Sequence, residues 1–287
     1  MQRDDDERRS LKLSEVAREV HVSSTTIRSW ERRYGWPRPF RTLGGHRRYT
    51  ADDLDQLRML RAEIAKGRSV RRAIALLERA RSQRFAAVVD GLVDAALGLD
   101  THALRRELAR VDDAATPEDA VERALLPALR AVGLRWAHGS CDVASEHLLT
   151  TEVRSWLETH VARARGGDAR ESVVLAAAPG ELHTVGLEAF ALLVARAGRD
   201  VVVLGASTPQ ASLARAVAAL RPCAVVVTSQ QPATRAAASA AVAAIDALRI
   251  APAFFAGDGF ATSAARRGVR GAYLGDDLVA ARARLAP

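Results

Sequence analysis

Apolar residues near the start of the chain recur at helical spacing and are interrupted by short polar breaks. Leu13, Val16, Ala17 and Val20 form one helical stripe, which the polar segment 21–24 ends. Because serine is a favoured residue immediately before a helix, this segment also predicts the start of a second helix. The pattern therefore predicts two helices joined by a tight turn.

The second of these helices has one apolar face and one basic face. Ile27, Trp30 and Tyr34 are predicted to pack inward. The opposite face carries Thr25, Thr26, Arg28, Ser29, Arg32 and Arg33. This distribution is typical of a recognition helix that lies in the major groove of double-stranded DNA, and a solvated basic helix is the alternative.

The next segment predicts a β-hairpin wing with basic edges. Gly44-Gly45 would supply the positive φ angles of the hairpin turn. Arg47, Arg48 and Tyr49 follow the turn, where they would contact the phosphate backbone of DNA. A winged helix-turn-helix is the structure that this order of elements indicates.

Two further helices, over residues 50–66 and 69–84, complete a first domain that covers residues 1–84. Residues 85–164 keep helical spacing and predict a four-helix bundle. The breaks between its helices fall at residues 98–100, 114–117 and 139–140.

After a linker at residues 165–168, short apolar runs alternate with helical segments. The runs are Val173–Ala178, Val201–Leu204, Ala224–Thr228, Ala253–Ala256 and Ala272–Leu274. Such alternation predicts a doubly wound, five-stranded parallel sheet of Rossmann-like type over residues 171–287. The whole chain is thus predicted to be multidomain, α followed by α/β.

Charge separates the first domain from the rest of the chain. Residues 1–84 contain 21 Lys and Arg against 12 Asp and Glu, a net charge of +9, whereas residues 85–287 contain 21 against 22, a net charge of −1. Because a localised basic surface releases counterions from a phosphate backbone, DNA is the expected partner of the first domain. The two cysteines, Cys141 and Cys223, lack disulfide or zinc-site spacing, and no apolar segment predicts a signal peptide or membrane span. We therefore expect a cytoplasmic protein.

His183, which follows the first strand of the predicted sheet, is the first candidate for binding a ligand. In such sheets, ligands bind beyond the carboxyl ends of the strands. The carboxylate of Glu181, two residues earlier, can orient the imidazole ring as it does in metal sites. An ordinary loop histidine is the alternative.

A second candidate cluster, at one end of the bundle, contains Trp136, Glu146 and His147. It suits a flat group with polar edges. The alternative is that Trp136 is a core residue and that Glu146 and His147 are ordinary exposed helix residues.

Two segments resemble known families. Residues 23–35 and the Gly-Gly-His-Arg-Arg-Tyr wing resemble the DNA-binding domain of the MerR family. Glu181-x-His183-x-x-Gly186 resembles the signature of cobalamin-binding domains, although Glu stands where the methyltransferase and mutase branch has Asp. The resemblance implies that His183 is the lower axial ligand of cobalt. It also implies that the loops with Ser229, Gly257 and Gly259, which match only loosely, hold the nucleotide tail.

Taken together, these motifs resemble the CarH and LitR group of cobalamin photoreceptors, over nearly the whole chain. The resemblance implies a transcriptional repressor, not an enzyme, that binds adenosylcobalamin between the bundle and the α/β domain. Trp136, Glu146 and His147 would then enclose the adenosyl group. It further implies a DNA-bound homotetramer in the dark, dissociation in light, and control of carotenoid synthesis genes.

One departure from the group concerns the residue after Trp136. The best-known members have a histidine there, which ligates cobalt from above after photolysis, whereas this chain has Ala137 followed by His138. A shift of one residue turns a helical side chain by about 100°. His138, His147 or water would be the upper ligand in the lit state. A light-independent regulator that senses cobalamin or a partner is the main alternative function, and a corrinoid carrier or methyltransferase component is a weaker one.

Overall fold

The computed structural model describes residues 11–37, 39–41, 46–165 and 171–285, which form two compact units, Met1–Leu149 and Thr150–Pro287. The predicted Gly44-Gly45 turn and most of the predicted linker at 165–168 lie outside the described residues. The helix Val143–Ala164 crosses the division between the two units.

The first unit begins with a winged helical head. Its elements are β1 (Leu11–Lys12), α1 (Leu13–Glu19), α2 (Ser24–Tyr34), β2 (Phe40–Arg41), β3 (Arg47–Tyr49) and α3 (Ala51–Ala65). The three strands form an antiparallel sheet in the order β1-β3-β2. The predicted inner residues Ile27 and Trp30 are buried, but Tyr34 is exposed, so its predicted inward packing is wrong. It lies in the last turn of α2, next to the left-handed C-cap Gly35, where the helix leaves the core.

Helix α4 (Val70–Leu97) is a single unbroken helix of 28 residues. The predicted helix end near Arg84 is wrong, because the polar stretch before it contains neither glycine nor proline to stop the helix. Ala73 belongs to the core of the head, and Phe85 and Leu92 are buried further along the same helix. One continuous helix therefore joins the head to the bundle.

The bundle has the predicted breaks between its helices. It comprises the second half of α4 with α5 (Thr101–Ala114), α6 (Pro117–Asp119), a π-helical segment (Ala120–Leu125), α7 (Leu126–Ala137) and the start of α8 (Val143–Ala164). The π-helical segment was not predicted. It precedes Pro127, which lacks the N–H for an α-helical bond and whose ring would crowd the preceding turn, and a wider turn relieves that conflict.

The second unit contains the predicted five-stranded parallel sheet, which confirms the α/β fold. Its elements are β4 (Ser172–Ala177), α9 (Val185–Arg196), β5 (Asp200–Gly205), α10 (Gln210–Leu220), β6 (Ala224–Thr228), α11 (Arg235–Leu248), β7 (Ala253–Ala256), α12 (Ser263–Arg266), β8 (Ala272–Tyr273) and α13 (Leu278–Arg284). The strand order is β5-β4-β6-β7-β8, and apolar cores cover both faces of the sheet.

The strand order decides where a ligand can bind. Strand β4 lies between β5 and β6, so the chain changes direction across the sheet at this strand. The loops that follow β4 and β6 are consequently neighbours at the carboxyl edge, where open α/β sheets bind their ligands. Among the described residues, no helix has both the length and the apolar character needed to cross a bilayer.

Candidate functional site

The loop between β4 and α9 places Glu181 and His183 at this carboxyl edge. Gly180 adopts a positive φ of 81°, and the Glu181 N–H donates to Ala178 O at 2.9 Å, which closes a tight turn. The turn directs the Glu181 side chain into the protein, where the residue is only 1% exposed.

The buried Glu181 carboxylate holds several loops together. Its Oε2 accepts hydrogen bonds from Gln230 N at 2.8 Å, Gln231 N at 3.1 Å and Thr234 Oγ1 at 2.8 Å. Its Oε1 accepts from His183 N at 2.9 Å and from the His183 ring. Burial alone would raise the pKa of Glu181, but these hydrogen bonds outweigh it and lower the pKa to about 2. The carboxylate is therefore charged and fully engaged.

The same carboxylate determines how His183 presents its ring. His183 Nδ1 lies 2.7 Å from Glu181 Oε1, and a carboxylate can only accept, so Nδ1 carries a proton and Nε2 is the nitrogen left for a metal. The side chain is 59% exposed, with Gln231 Nε2 at 3.5 Å from Nε2. An imidazole with one nitrogen held by a carboxylate and the other directed outward is the arrangement found in metal ligands. This single donor fits a cobalt ion whose other positions a corrin ring supplies.

The glycines predicted to hold a nucleotide tail serve the packing of the neighbouring loops. A Cβ atom on Gly257, whose φ is 104°, would lie 2.3 Å from Ser229 O, and one on Gly259 would lie 2.6 Å from Ser229 Oγ. Ser229 is fully buried, and its hydroxyl contacts Thr234 Oγ1 at 2.8 Å. Both glycines thus allow the loops after β6 and β7 to approach closely. Gly186 lies in the first turn of α9 beside Gln230, whose Nε2 would lie 3.4 Å from an added Cβ.

One buried hydroxyl at this edge is that of Thr228. Thr228, the last residue of β6, is 6% exposed, and its Oγ1 makes no hydrogen bond among the described residues. An unpaired buried hydroxyl is costly, and a polar group of a bound ligand would satisfy it. Together with the outward nitrogen of His183, this hydroxyl fits a cobalamin at the end of β4 and β6. Thr234, which the sequence analysis missed, supports Glu181 from 53 residues away, and no local pattern marks it.

The second candidate cluster lies in the first unit. Trp136 occupies the last turn of α7 and is 51% exposed, which is unusual for an indole that only fills a core. Glu146 and His147 lie at the start of α8, with Glu146 Oε2 3.6 Å from His147 Nε2. His138 is the C-cap of α7, and its Nδ1 lies 2.6 Å from Leu134 O. That contact leaves Nε2 as the ring nitrogen available to a ligand.

In the head, some of the predicted DNA-contacting residues are exposed, and others make structural contacts. Thr25, Arg28 and Arg32 are exposed on α2, as a recognition helix requires. Thr26 instead completes the N-cap of α2, because its N–H donates to Ser23 Oγ at 3.0 Å and its hydroxyl lies 2.7 Å from the same atom. Its role is at least partly structural.

The wing residues are attached to α2 through Glu31, which the sequence analysis also missed. Arg47 Nε donates to Glu31 Oε2 at 2.6 Å, and the Tyr49 hydroxyl donates to Glu31 Oε1 at 2.5 Å. Tyr49 is fully buried, and burial together with Glu31 raises its pKa well above the ordinary value. The predicted DNA contact of Tyr49 is therefore wrong, since a buried ring cannot reach a phosphate. Arg48, on the same strand, is partly exposed.

Comparisons with known proteins agree with this arrangement of elements. Residues 11–80 match the MerR HTH family regulatory protein family, and residues 85–159 and 171–286 match two families that are each described as a B12 binding domain. Two proteins of Myxococcus xanthus are similar over most of their length. HTH-type transcriptional repressor CarH is 33% identical over 230 residues, which cover 75% of this chain and 77% of CarH. HTH-type transcriptional repressor CarA is 34% identical over 221 residues, 74% of each chain.

A solved structure shares the fold of a large part of the chain. The Methanosarcina barkeri monomethylamine corrinoid protein aligns with 70% of this chain and 98% of its own length, with a TM-score of 0.56 and 14% sequence identity. At this identity the similarity concerns the fold alone.

Proposed function

Because the chain belongs to the family of MerR-type, cobalamin-binding transcriptional repressors that includes CarH and CarA, we propose that it is a light-dependent repressor. In this proposal it holds operator DNA in the dark as an oligomer loaded with adenosylcobalamin, and it releases the DNA in light. It is a regulator rather than an enzyme. A corrinoid carrier would share the His183 loop but would leave the DNA-binding head without a role.

The observation that carries the proposal is the geometry of Glu181 and His183. The buried carboxylate keeps a proton on Nδ1, and Nε2 of the exposed ring is then the nitrogen that would ligate cobalt. When bound, adenosylcobalamin supplies the light absorption and the cobalt–carbon bond that light breaks. The protein supplies the lower ligand and, at Thr228, a buried hydroxyl for the ligand to satisfy.

Recognition of the adenosyl group is assigned to Trp136, Glu146 and His147. The exposed indole offers an apolar surface to a flat base, and the Glu146 and His147 pair offers polar partners to hydroxyl groups. Loss of the adenosyl group would remove the contact that holds the indole, so a change in the bundle would follow. The dark tetramer is proposed from the resemblance to CarH and LitR proteins.

Size-exclusion chromatography with an absorption spectrum of each peak tests this function. We expect the chain loaded with adenosylcobalamin in the dark to elute as a large species that binds operator DNA, and green light to dissociate it. His183→Ala should lose cobalamin and dark assembly, whereas His102→Ala, at an exposed histidine of α5, should behave as the wild type. Normal dark assembly of His183→Ala with cobalamin would refute the axial role.

A second experiment separates the photoreceptor from a light-independent cobalamin regulator. The specific observation in favour of the latter is that Ala137 follows Trp136, while His138 is bonded to its own helix. If the light-dependent function is correct, Trp136→Ala should still bind adenosylcobalamin but should assemble poorly, and methylcobalamin should support assembly less well than adenosylcobalamin. If light alters the spectrum of the wild type without altering its size or DNA binding, the light-independent function is correct.

A further inference from the structure

A three-residue clamp fastens helix α8 to the start of α9, immediately after His183. Arg154 lies on α8, and Thr184 and Glu188 lie at the beginning of α9. Arg154 Nη2 donates to Thr184 Oγ1 at 2.7 Å, and Arg154 Nε donates to Glu188 Oε2 at 3.2 Å. The Thr184 hydroxyl in turn donates to Glu188 Oε1 at 2.7 Å. The three side chains therefore form a closed ring of hydrogen bonds, which we name the Arg154 clamp.

The clamp reaches the candidate ligand through a buried residue. Thr184 directly follows His183 in the chain and is 4% exposed, so its hydroxyl cannot exchange Arg154 for water without a change in the loop. The peptide that joins the two residues is thereby held from both sides. Glu181 holds the His183 N–H and ring, and Arg154 holds the side chain of the next residue.

Helix α8 also carries two of the three candidate residues for the adenosyl group, Glu146 and His147. Arg154 follows His147 by seven residues, which is close to two helical turns, so both positions lie on one face of α8. Because an α-helix resists bending over such a short length, a movement of α8 at His147 is also a movement at Arg154. Arg154 is therefore placed to transmit it to the His183 loop.

We propose that Arg154 is a positioning residue that sets the His183 loop through Thr184 and makes ligation at His183 depend on the position of helix α8. The inference rests on the proposed function, because it assumes that His183 is the cobalt ligand. Without the Arg154 side chain, the loop would keep the contacts of Glu181 and lose the restraint on the other side of His183. The His183 ring would then be present but less well ordered.

The first test needs no cofactor and uses hydrogen exchange of the full-length chain, measured by mass spectrometry. The variants are Arg154→Leu and Thr184→Val, which each remove the contact between the two residues. Thr184→Ser keeps the hydroxyl, and Arg163→Leu removes another exposed arginine of α8. We expect amides of loop 178–184 to exchange about tenfold faster in the first two variants and not in the two controls, as loss of a charge-assisted hydrogen bond implies.

The double variant Arg154→Leu with Thr184→Val should exchange no faster than either single variant, because both substitutions remove one interaction. Equal exchange in the wild type and Arg154→Leu would overturn the proposal. Faster exchange throughout β4 and β6 would overturn it as well, since Arg154 would then only stabilise the unit as a whole.

The second test observes the ligand itself. In protein labelled uniformly with ¹⁵N, cob(II)alamin bound through His183 should show an electron paramagnetic resonance doublet from a nucleus of spin one half. Ligation by the cofactor's own ¹⁴N base would give a triplet instead. We expect a full doublet in the wild type and in Arg163→Leu. Arg154→Leu and Thr184→Val should show a reduced doublet and a cobalamin affinity about tenfold weaker. Thr184→Ser should recover the full doublet and the wild-type affinity.

The two proposals fail in different ways. A triplet in the wild type would refute the axial role of His183, and with it the proposed dependence on α8. A doublet of unchanged intensity and affinity in Arg154→Leu would leave the axial role intact and refute the role of Arg154 alone.

Discussion

Glu181→Gln is the substitution that most directly separates the role of charge from that of shape. The amide has nearly the same size as the carboxylate, so packing in the loop is preserved. The change removes the negative charge and converts one accepting atom into a donor. Because the wild-type carboxylate accepts from five donors, no orientation of the amide can satisfy all of them.

The least costly orientation keeps the amide oxygen on the three donors that now face Oε2. The NH2 group then faces His183, whose N–H loses its acceptor at a cost of about 1–3 kcal/mol. The other three hydrogen bonds lose their charge assistance, about 1 kcal/mol each, while the neutral amide is cheaper to bury than the carboxylate. A net loss of about 2–4 kcal/mol in the free energy of unfolding of the α/β unit follows.

Hydrogen exchange of the cofactor-free chain measures this loss within the unit concerned. Amides of β4 and β6 lie in the core of the sheet and exchange only when the unit opens, so a loss of about 2–4 kcal/mol corresponds to exchange roughly 30-fold to 700-fold faster. Amides of α2 and α3 in the head serve as an internal reference. Glu158→Gln, at an exposed glutamate of α8, is the matched control and should leave both sets unchanged.

The substitution should also reverse the tautomer of His183. The new NH2 group donates to Nδ1, which moves the ring proton to Nε2 and blocks the nitrogen that would ligate cobalt. Nitrogen NMR of the His183 ring detects this change, and cobalamin affinity should fall by about 10-fold to 100-fold. Unchanged exchange in β4 and β6, or a ring that keeps its proton on Nδ1, would show that the Glu181 charge does not organise the loop.

Three further substitutions test other parts of the chain. Tyr49→Phe removes the hydroxyl that donates to Glu31, so the head should lose about 1–2 kcal/mol, visible as faster exchange in α2 and α3. Arg28→Ala should weaken operator binding and reduce the slope of log K against log[salt] by about one unit per bound head, whereas Arg130→Ala in the bundle should not. Gly259→Ala should cost about 1–3 kcal/mol, because its Cβ would overlap the loop after β6, and thermal unfolding with cobalamin retention measures the effect.

The elements of this protein were predictable where local periodicity defines them. The five strands and the breaks in the bundle lie close to their predicted places, because alternation of apolar runs with helical stripes depends only on neighbouring residues. The wrong or missing predictions concern features that local periodicity does not define. The predicted end of α4 near Arg84 is wrong because no residue there stops a helix, and the π-helical segment precedes Pro127, where the helix must widen.

The candidate site shows the same division. His183 and Glu181 were identified from their spacing, and their adjacency in the chain made a contact predictable. The partners of Glu181 on the loop after β6 lie about fifty residues away, so only the pairing of β4 with β6 brings them together. Arg154 carried no motif either, and its contact with Thr184 depends on how α8 meets α9.

By itself, the sequence determined the order of elements, the family resemblance and the identity of the candidate ligand, because these depend on residue type and on spacing along the chain. The tertiary structure alone decided which side chains are free to act. Tyr49 is buried against Glu31, whereas Arg28 and the His183 ring remain exposed. Burial and hydrogen bonding depend on residues distant in the chain, and local patterns do not record them.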